Sequence, residues 1–506
     1  MVHLDRRVFV TGAAALAVSG GLSRTARATS SMGFDEARHL LSRAGFGPTP
    51  AEIRALEALD YAGAVDKLLA AFQPKAATVA PAWVNDGLGA LRQKQQAMAK
   101  TTGDGKAVQV QPPLQEQSRQ LRNWWIEEMV ATDQPLVEHM VLFWHNHFTS
   151  SLTKTYYPGS LYQQNEMFRQ SALGNFAALL KAVPRDPAML LYLDGVRNVA
   201  RQPNENFARE LLELFTLGEG HYTEGDIKAA ARAFTGGSID RATGQFVFRE
   251  QAHDGGEKTF LGQTGRFGGD EIIAILLNHP RTAETIVEKL WREFVSLKPD
   301  RVEIGRLAAV FRASGYEIKP LMRALFLSPS FRDPANRAAL IKSPVDLIVG
   351  TVRVLGLPVP EKTQLARMMG GLGQSLFNPP NVKGWAGGES WITAYTLLQR
   401  QQILRRIVEA TTVSQMEGMG GRRMDRRQGQ PAMEDTQQMM EPRPVEGRSL
   451  RNSGSEARLG PTLIGVDATT LMLTLLPRAP IDAVETRGVP GAVVAAALLD
   501  PAYQLK

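Results

Sequence analysis

The sequence predicts a mainly α-helical protein: one large multi-helix domain with a single core, a small β-hairpin and a long disordered insert. Apolar residues recur every three or four positions along most of the 506 residues, which is the period of an amphipathic helix. Alternating, β-type patterns are confined to one short stretch. The composition, 43% apolar and 22% charged, is typical of a globular chain that is long enough to bury a substantial core.

The first segment, residues 1–28, has the features of a twin-arginine export signal in the right order. Arg6 and Arg7 precede a weakly apolar stretch rich in Ala and Gly, and the small residues Ala26 and Ala28 surround a cleavage point. The alternative interpretation is a frayed amphipathic N-terminus. We expect a periplasmic or secreted protein, exported by the twin-arginine pathway.

Charge and cysteine content exclude several classes of function. Residues 1–28 hold four arginines and one aspartate, so their removal lowers the net charge from +7 to +4, which is too little to indicate a nucleic-acid partner. The chain has no cysteine, so disulfides, thiolate zinc sites and thiol catalysis are excluded. No later stretch approaches the roughly 20 apolar residues of a spanning helix, and no transmembrane segment is predicted after signal removal.

Helical patterns dominate residues 29–412, the predicted family domain, with a flexible loop at about 95–115. Gly45 ends the first helix, and Thr49 with Glu52 three residues later is a capping box that begins the second. Further helices are predicted over 119–131, 135–148, 160–182, 204–217 and 224–235, and again from 269 to about 409.

Two segments depart from the helical pattern. Residues 244–250 alternate and could pair with 258–262 as a β-hairpin. Residues 413–460 hold eight Arg, seven Asp or Glu and six of the 17 methionines, with few aliphatic residues. Such a composition buries too little apolar surface to offset ordering entropy, so a disordered insert is predicted; a copper-binding methionine tract is the alternative. Residues 461–506 then complete the domain as a C-terminal helical segment.

Two histidines lie within the apolar run "VLFWHNHFTSS" (141–151). On a regular helix His147 falls inside the apolar arc, whereas His145 lies roughly 160° away from it. The two side chains therefore cannot share one ligand unless the helix ends near residue 146. A buried neutral histidine is more often a satisfied core residue than a ligand, unless polar partners converge on it.

The segment "PNENFARELLELFTLGEGHYTEGD" (203–226) is the predicted source of such partners. Asn206, Glu210 and Glu213 form a polar stripe at positions i, i+4 and i+7 beside the apolar face, and His221 follows in a loop. Carboxylates three residues apart can converge on a hard cation or a proton-transfer site. The alternative is a solvated face.

On that alternative, Glu205 pairs with Arg209 and the stripe has no chemical role. A later loop, "SLFNPPNVKGWAGGESWI" (375–392), carries Trp385 and Trp391. If exposed, these rings could stack on sugars, so Trp385 is a candidate substrate-binding residue. If buried, they pin the loop to the helical core, which is the interpretation that we favour.

Several of these segments resemble one bacterial family, domain of unknown function 1800, over about residues 34–408 and 461–506. The segments that carry the resemblance are "HLLSRAGFGPTPAEI", "FWHNHFTSS", "ALGNFAALLKAV", "DPAMLLYLDG", "PNENFARELLELFTLGEGHYTEGDI", "LFNPPNVKGWAGGESWI" and "DPAYQ". The resemblance implies a mainly helical, often exported protein, and as a partner an exported protein of the family called domain of unknown function 1501. It implies no catalytic residue or cofactor, and the 413–460 insert departs from the family pattern.

Two functions remain open at this point. The first is a hydrolase-like enzyme, dependent on carboxylates or on a divalent metal, whose pocket gathers His147, Glu210, Glu213 and His221. Glutamate would act as general base or ligand, and histidine as ligand or proton shuttle. The predicted metal ligands are His145, His147, Glu210 and His221, and the predicted substrate-binding residues are Asn206 and Trp385. The second function is a non-catalytic envelope scaffold or partner-binding protein.

Overall fold

The computed structural model describes residues 31–87, 89, 113–357, 362–419, 463, 465–482 and 490–506. The predicted export signal (1–28), residues 95–112 of the predicted loop and residues 420–460 of the predicted insert lie outside this range.

The described residues form a mainly α-helical protein, as the sequence predicts. The helices are α1 (Gly33–Ala44), α2 (Pro50–Glu57), α3 (Tyr61–Ala70), α4 (Pro113–Ala131), α5 (Pro135–His147), α6 (Leu152–Thr155), α7 (Pro158–Gln170), α8 (Phe176–Ala182), α9 (Pro187–Tyr192), α10 (Asn206–Glu210), α11 (Glu224–Ala233), α12 (Gly269–Asn278), α13 (Pro280–Phe294), α14 (Arg301–Ala313), α15 (Ile318–Phe326), α16 (Pro329–Arg332), α17 (Pro344–Leu355), α18 (Lys362–Gly371), α19 (Ala394–Met419), α20 (Ala468–Leu475) and α21 (Pro490–Leu499).

The predicted helix boundaries hold where capping residues set them. Helix α1 ends at Gly45. Thr49 accepts a hydrogen bond from the Glu52 amide (3.3 Å), and the Glu52 carboxylate accepts one from the Thr49 amide (2.7 Å), so the predicted capping box begins α2. Thr223 and Asp226 form the corresponding box at the start of α11. Each box satisfies two amide groups that a helix start would otherwise leave unpaired.

The single helix predicted over 160–182 is instead two helices, α7 and α8. Asn175 lies between them and its side chain accepts a hydrogen bond from the Ala178 amide (3.0 Å), because asparagine is more favourable at a helix start than inside a helix. The freed backbone pairs elsewhere. Phe176 donates to the Tyr316 carbonyl (2.9 Å), and Ile318 donates to the Gly174 carbonyl (2.8 Å).

The predicted pairing of 244–250 with 258–262 is wrong. The structure has two separate antiparallel hairpins, β1 (Gly237–Ile239) with β2 (Phe246–Phe248), and β3 (Lys258–Phe260) with β4 (Gln263–Gly265). In the second hairpin the two loop residues, Leu261 and Gly262, both have positive φ (46° and 76°). That geometry matches the right-handed twist of two adjacent short strands, so each strand pairs with its nearest neighbour in sequence.

One hydrophobic core extends from Met32 to Tyr503. Its largest fully buried side chains include Trp125, Trp144 and Trp291. The C-terminal helices α20 and α21 contribute to the same core, and a β-bridge joins Ile341 to Leu505. Among the described residues, no helix is both long enough and apolar enough to cross a membrane.

Candidate functional site around a π-helical segment

Helix α5 places its two terminal histidines in different aromatic surroundings. The His145 ring, 1% exposed, lies 5.5 Å from the Trp125 ring and 5.4 Å from that of Phe377. Burial lowers the pKa of His145 to about 3, so the ring is neutral. His147, 5% exposed, instead contacts Phe148 and Phe215, with ring centroids 4.4 and 5.8 Å away. The helix continues through residue 147, and the two histidines share no ligand.

A buried lysine connects His147 to the 204–217 segment. The Lys289 ammonium donates to His147 Nδ1 (3.0 Å) and to the Leu214 carbonyl (2.6 Å). Burial, and then the charge of Lys289, hold the pKa of His147 well below its ordinary value. Burial, followed by the charge of Arg292, lowers the pKa of Lys289 to about 8. His147 therefore meets the backbone of the distant helix through a lysine, and does not meet its carboxylates.

Asn146, between the two histidines, holds the 375–392 loop. Its side-chain oxygen accepts a hydrogen bond from the Trp385 amide (2.7 Å), and its side-chain nitrogen donates to the Trp385 carbonyl (3.4 Å). Gly384 has φ +77°, and a Cβ atom there would lie 2.1 Å from the Asn146 oxygen. Trp385 and Trp391 are 5% and 8% exposed. The rings are buried as the pinning interpretation predicts, and Trp385 presents little surface for stacking on a sugar.

The predicted helix over 204–217 changes its geometry halfway. It is α-helical over Asn206–Glu210 and π-helical over Leu211–Thr216. The Leu217 amide donates to the Leu212 carbonyl (2.9 Å), five residues back, and Gly218 (φ +86°) ends the segment. Single π-helical turns are rare in proteins and frequent at functional sites.

Side chains of helix α13 donate hydrogen bonds to the backbone carbonyl groups of this segment. Besides the lysine bond described above, Thr285 and Arg281 both donate to the Leu217 carbonyl, at 3.2 and 3.1 Å. These bonds satisfy carbonyl groups that the wider π turn leaves without an intrahelical partner. The irregular segment is therefore held by side chains of α13.

Glu210 and Glu213 lie at the junction of the α and π turns in unequal surroundings. Glu210 is half-buried, and burial, followed by the charge of Glu213, raises its pKa. Glu213 accepts a hydrogen bond from the Tyr222 hydroxyl (3.2 Å) and lies 3.7 Å from the Lys383 ammonium. Burial and the same carboxylate raise the pKa of Tyr222 to about 12. Glu213 is thus paired with donors, and Glu210 keeps its proton to a higher pH than an ordinary glutamate does.

The remaining polar residues of this surface are arranged beside the two glutamates. The Asn206 side chain donates to Asp194 (3.4 Å), and Asp194 also pairs with Lys154 (2.9 Å). Asp194 has φ +57°, a left-handed conformation that costs free energy in a non-glycine residue. The alternative predicted from the sequence is also present, because Arg209 pairs with Glu205 (3.1 Å) on the outer side of the helix.

The predicted metal set is not assembled. The nearest aromatic rings of His145 are those of Trp125 and Phe377, whereas His147 packs against Phe148 and Phe215. His221 is exposed, and it lies close enough to His279 to lower the pKa of that histidine, after burial. Across the described part of the chain, no three His, Asp or Glu side chains form a group that could hold a metal ion. The pocket predicted to gather His147, Glu210, Glu213 and His221 is likewise not formed as one cluster.

Sequence reasoning missed a second polar cleft. His139 Nε2 is 2.7 Å from Glu293 Oε1 at the wall of a cleft with about 620 Å³ of empty space, which Asn146 and Trp385 also line. Burial would raise the pKa of Glu293, but the His139 hydrogen bond and neighbouring charges outweigh it, and the pKa is lowered. The spacing in the sequence could have indicated this cleft, since His139, Phe143 and Asn146 share one helix face at i, i+4 and i+7.

These observations define a mainly α-helical protein with one core and a titratable polar surface on a π-helical segment. The chain belongs to the family described as Protein of unknown function (DUF1800), which covers residues 39–505. The family resemblance drawn from the sequence is thereby confirmed. No curated protein and no solved structure matches this chain.

Proposed function

We propose that this protein is an exported, hydrolase-like enzyme in which Glu210 and Glu213 carry out general acid–base chemistry. The observation that carries the proposal is their asymmetry: Glu210 is half-buried with a raised pKa, whereas Glu213 is bonded to Tyr222 and lies near Lys383. Two neighbouring carboxylates whose surroundings separate their protonation states are the arrangement that supplies an acid and a base at one pH.

In the proposed reaction each carboxyl group has a defined role. Glu213, as the general base, accepts a proton from the attacking water, and the water oxygen bonds to the electrophilic centre of the substrate. Glu210, protonated, donates its proton to the leaving group as that bond breaks. The two transfers leave one proton on Glu213 and none on Glu210, and exchange with solvent restores the starting state.

Neighbouring groups support this assignment of the site. Lys383 brings a positive charge from the 375–392 loop to the carboxylates, where it would stabilise negative charge that develops on the substrate. The side chain of Asn206 lies beside the site through Asp194 and remains the candidate substrate-binding residue. We propose the carboxylate form of the enzyme in preference to the metal form, because the described residues offer no assembled metal ligands.

The test is hydrolysis of a panel of p-nitrophenyl esters, glycosides and phosphates by the purified protein. We expect Glu210→Gln and Glu213→Gln each to lower kcat/KM by about 10²–10⁴-fold, the usual contribution of a general acid or base. Because Glu210 acts in its protonated form, activity should fall as the pH rises through its raised pKa. That alkaline limb should disappear from the profile of Glu210→Gln.

Glu205→Gln is the matched control, since Glu205 is on the same stretch of chain but pairs only with Arg209. Its kcat/KM should equal that of the wild type, and EDTA should not change any of the rates. If the wild type hydrolyses no member of the panel, or if Glu210→Gln is as active as Glu205→Gln, the enzymatic proposal is wrong. The non-catalytic alternative, a scaffold that binds an exported protein of domain of unknown function 1501, would then be preferred.

Export is the second part of the proposal and rests on the order of features in residues 1–28. Replacing Arg6 and Arg7 with lysine keeps the charge but removes the paired arginines that the twin-arginine pathway reads. We expect the unprocessed variant to accumulate in the cytoplasm, whereas the wild type appears in the periplasm or medium. Equal export of both proteins would contradict the assignment.

A further inference from the structure

A cleft between α1, α17 and the C-terminal segment is lined by more positive than negative charge. It encloses about 30 Å³ and opens to solvent, and its charged lining side chains are Arg38, Lys342, Lys506 and Asp346. Three cations therefore face one carboxylate. Burying a charge without a partner is unfavourable. The kind of ligand that the cleft can bind therefore depends on which of its cations lack a pairing group.

The one carboxylate is already engaged. Asp346 accepts a hydrogen bond from the Ser343 amide (2.9 Å) at the start of α17, and its Oδ2 lies 2.8 Å from the Lys506 ammonium. Both side chains of this ion pair are less than a tenth exposed. Lys506 is thus compensated through Asp346 Oδ2, which takes both bonds, and among the described residues neither Arg38 nor Lys342 forms an ion pair with Asp346.

Lys342 has no anionic partner. Within the part of the chain that the structure describes, its ammonium makes no hydrogen bond or ion pair, and it lies 3.5 Å from the centre of the Tyr503 ring. Burial lowers the pKa of Lys342 to about 7; Asp346 opposes this shift and Arg38 adds to it. The ammonium group is therefore held among other cations in a cleft.

Arg38 has one distant and exposed anionic partner, Asp35. Arg38 itself is 4% exposed, and one of its terminal nitrogens donates to the Pro477 carbonyl (3.2 Å), which is neutral. Its Nε has no hydrogen-bond partner, and the carboxylate of Asp35, 4.0 Å away, is itself largely exposed. Behind the cleft, Arg43 is fully buried and bonded only to backbone carbonyls, which adds to the positive potential.

We propose that this cleft binds a phosphate-type oxyanion, either free phosphate or the phosphate group of a small ester, between Arg38 and Lys342. A guanidinium with free donor positions and an ammonium on a flexible chain are the two groups with which proteins most often bind phosphate. The site is separate from the two glutamates and does not depend on their role.

Inorganic phosphate is the first probe, followed by glycerol 3-phosphate, and binding is measured by calorimetry and thermal unfolding of the full chain. We expect saturable binding to the wild type and a rise in Tm beyond that produced by sodium chloride at equal ionic strength. Lys342→Gln should weaken phosphate binding by about tenfold or more, the contribution of a hydrogen bond to a charged group. Tighter binding of the ester would identify a phosphate monoester as the ligand.

Two controls keep the result interpretable. Lys298→Gln removes an exposed lysine outside the cleft and should bind phosphate as the wild type does. Without phosphate, Lys342→Gln should be at least as stable as the wild type, because it loses an uncompensated charge and no ion pair. The proposal is overturned if phosphate acts no differently from sodium chloride, or if Lys342→Gln and the wild type bind it equally.

Discussion

The histidines of α5 and the glutamates of the 206–216 segment are equally prominent in the sequence, but they differ in their access to solvent. His145 and His147 are almost completely enclosed by aromatic rings, and burial holds both rings neutral. Glu210 and Glu213 are half-buried, keep access to solvent and lie among polar donors. A group that can exchange protons with water can take part in acid–base chemistry, whereas a sealed group contributes to packing.

Truncation of His147 should have the largest effect on stability. His147→Ala removes a ring packed against Phe148 and Phe215 and leaves the Lys289 ammonium without one of its two acceptors. We expect the free energy of unfolding to fall by about 3 kcal/mol, from the cavity and the lost hydrogen bond, measured by urea denaturation. His221→Ala, at an exposed position, should change it by about 0.5 kcal/mol or less; comparable losses for both would show that His147 is not a packing residue.

Substitution of Asn146 should lower the free energy of unfolding by an intermediate amount. Asn146→Ala removes two hydrogen bonds to the Trp385 backbone and should cost about 1–3 kcal/mol, since a buried amide is left unpaired. The same variant should shift tryptophan fluorescence as the loop loosens. Asn206→Ala, whose side chain makes one long bond at the surface, is the control. An unchanged emission spectrum for Asn146→Ala would contradict the proposed attachment.

Substitution of Glu210 should have the smallest effect on the free energy of unfolding, and this effect should depend on pH. Its folded-state pKa is raised above 4.5, so the stability associated with its protonated form is present at low pH and is lost as the pH rises through the folded pKa. Glu210→Gln removes the ionisable group, and with it the loss of stability as the pH rises. Relative to the wild type, the variant should gain about 1 kcal/mol or less between pH 4 and 7, measured by denaturation across this range. A trend of opposite sign in Glu210→Gln would rule out the raised pKa.

Much of the fold could be predicted because helix periodicity and capping are local. The capping box at Thr49 lies where the sequence places it, and the helix predicted over 224–235 begins at the predicted residue. The break at Asn175 was missed because its reason is tertiary: the backbone beside it pairs with the strand-like residues near Tyr316. The hairpin partners were wrong for a related reason, since alternation predicts a strand and does not identify the neighbour with which it pairs.

The sequence predicts the two carboxylates of the candidate site, but it does not predict their contacts with residues that are distant in the chain. Spacing alone places Glu210 and Glu213 on one face. The π turn, the approach of Lys383 and the link from His147 through Lys289 all depend on contacts between residues far apart in sequence. The cationic cleft is a stronger example, because Arg38 and Lys342 are about 300 residues apart in the chain, and only the folded structure shows that they line one cleft.

The attachment of Trp385 to α5 has a consequence for the reactive surface. Gly384 packs against Asn146 with no room for a side chain. The loop can therefore attach at only one position along helix α5. The next residue back is Lys383, whose ammonium lies near Glu213. A half-buried amide between two buried histidines thereby sets the position of a solvent-facing cation, and a mutation of Asn146 would alter the electrostatics around Glu213.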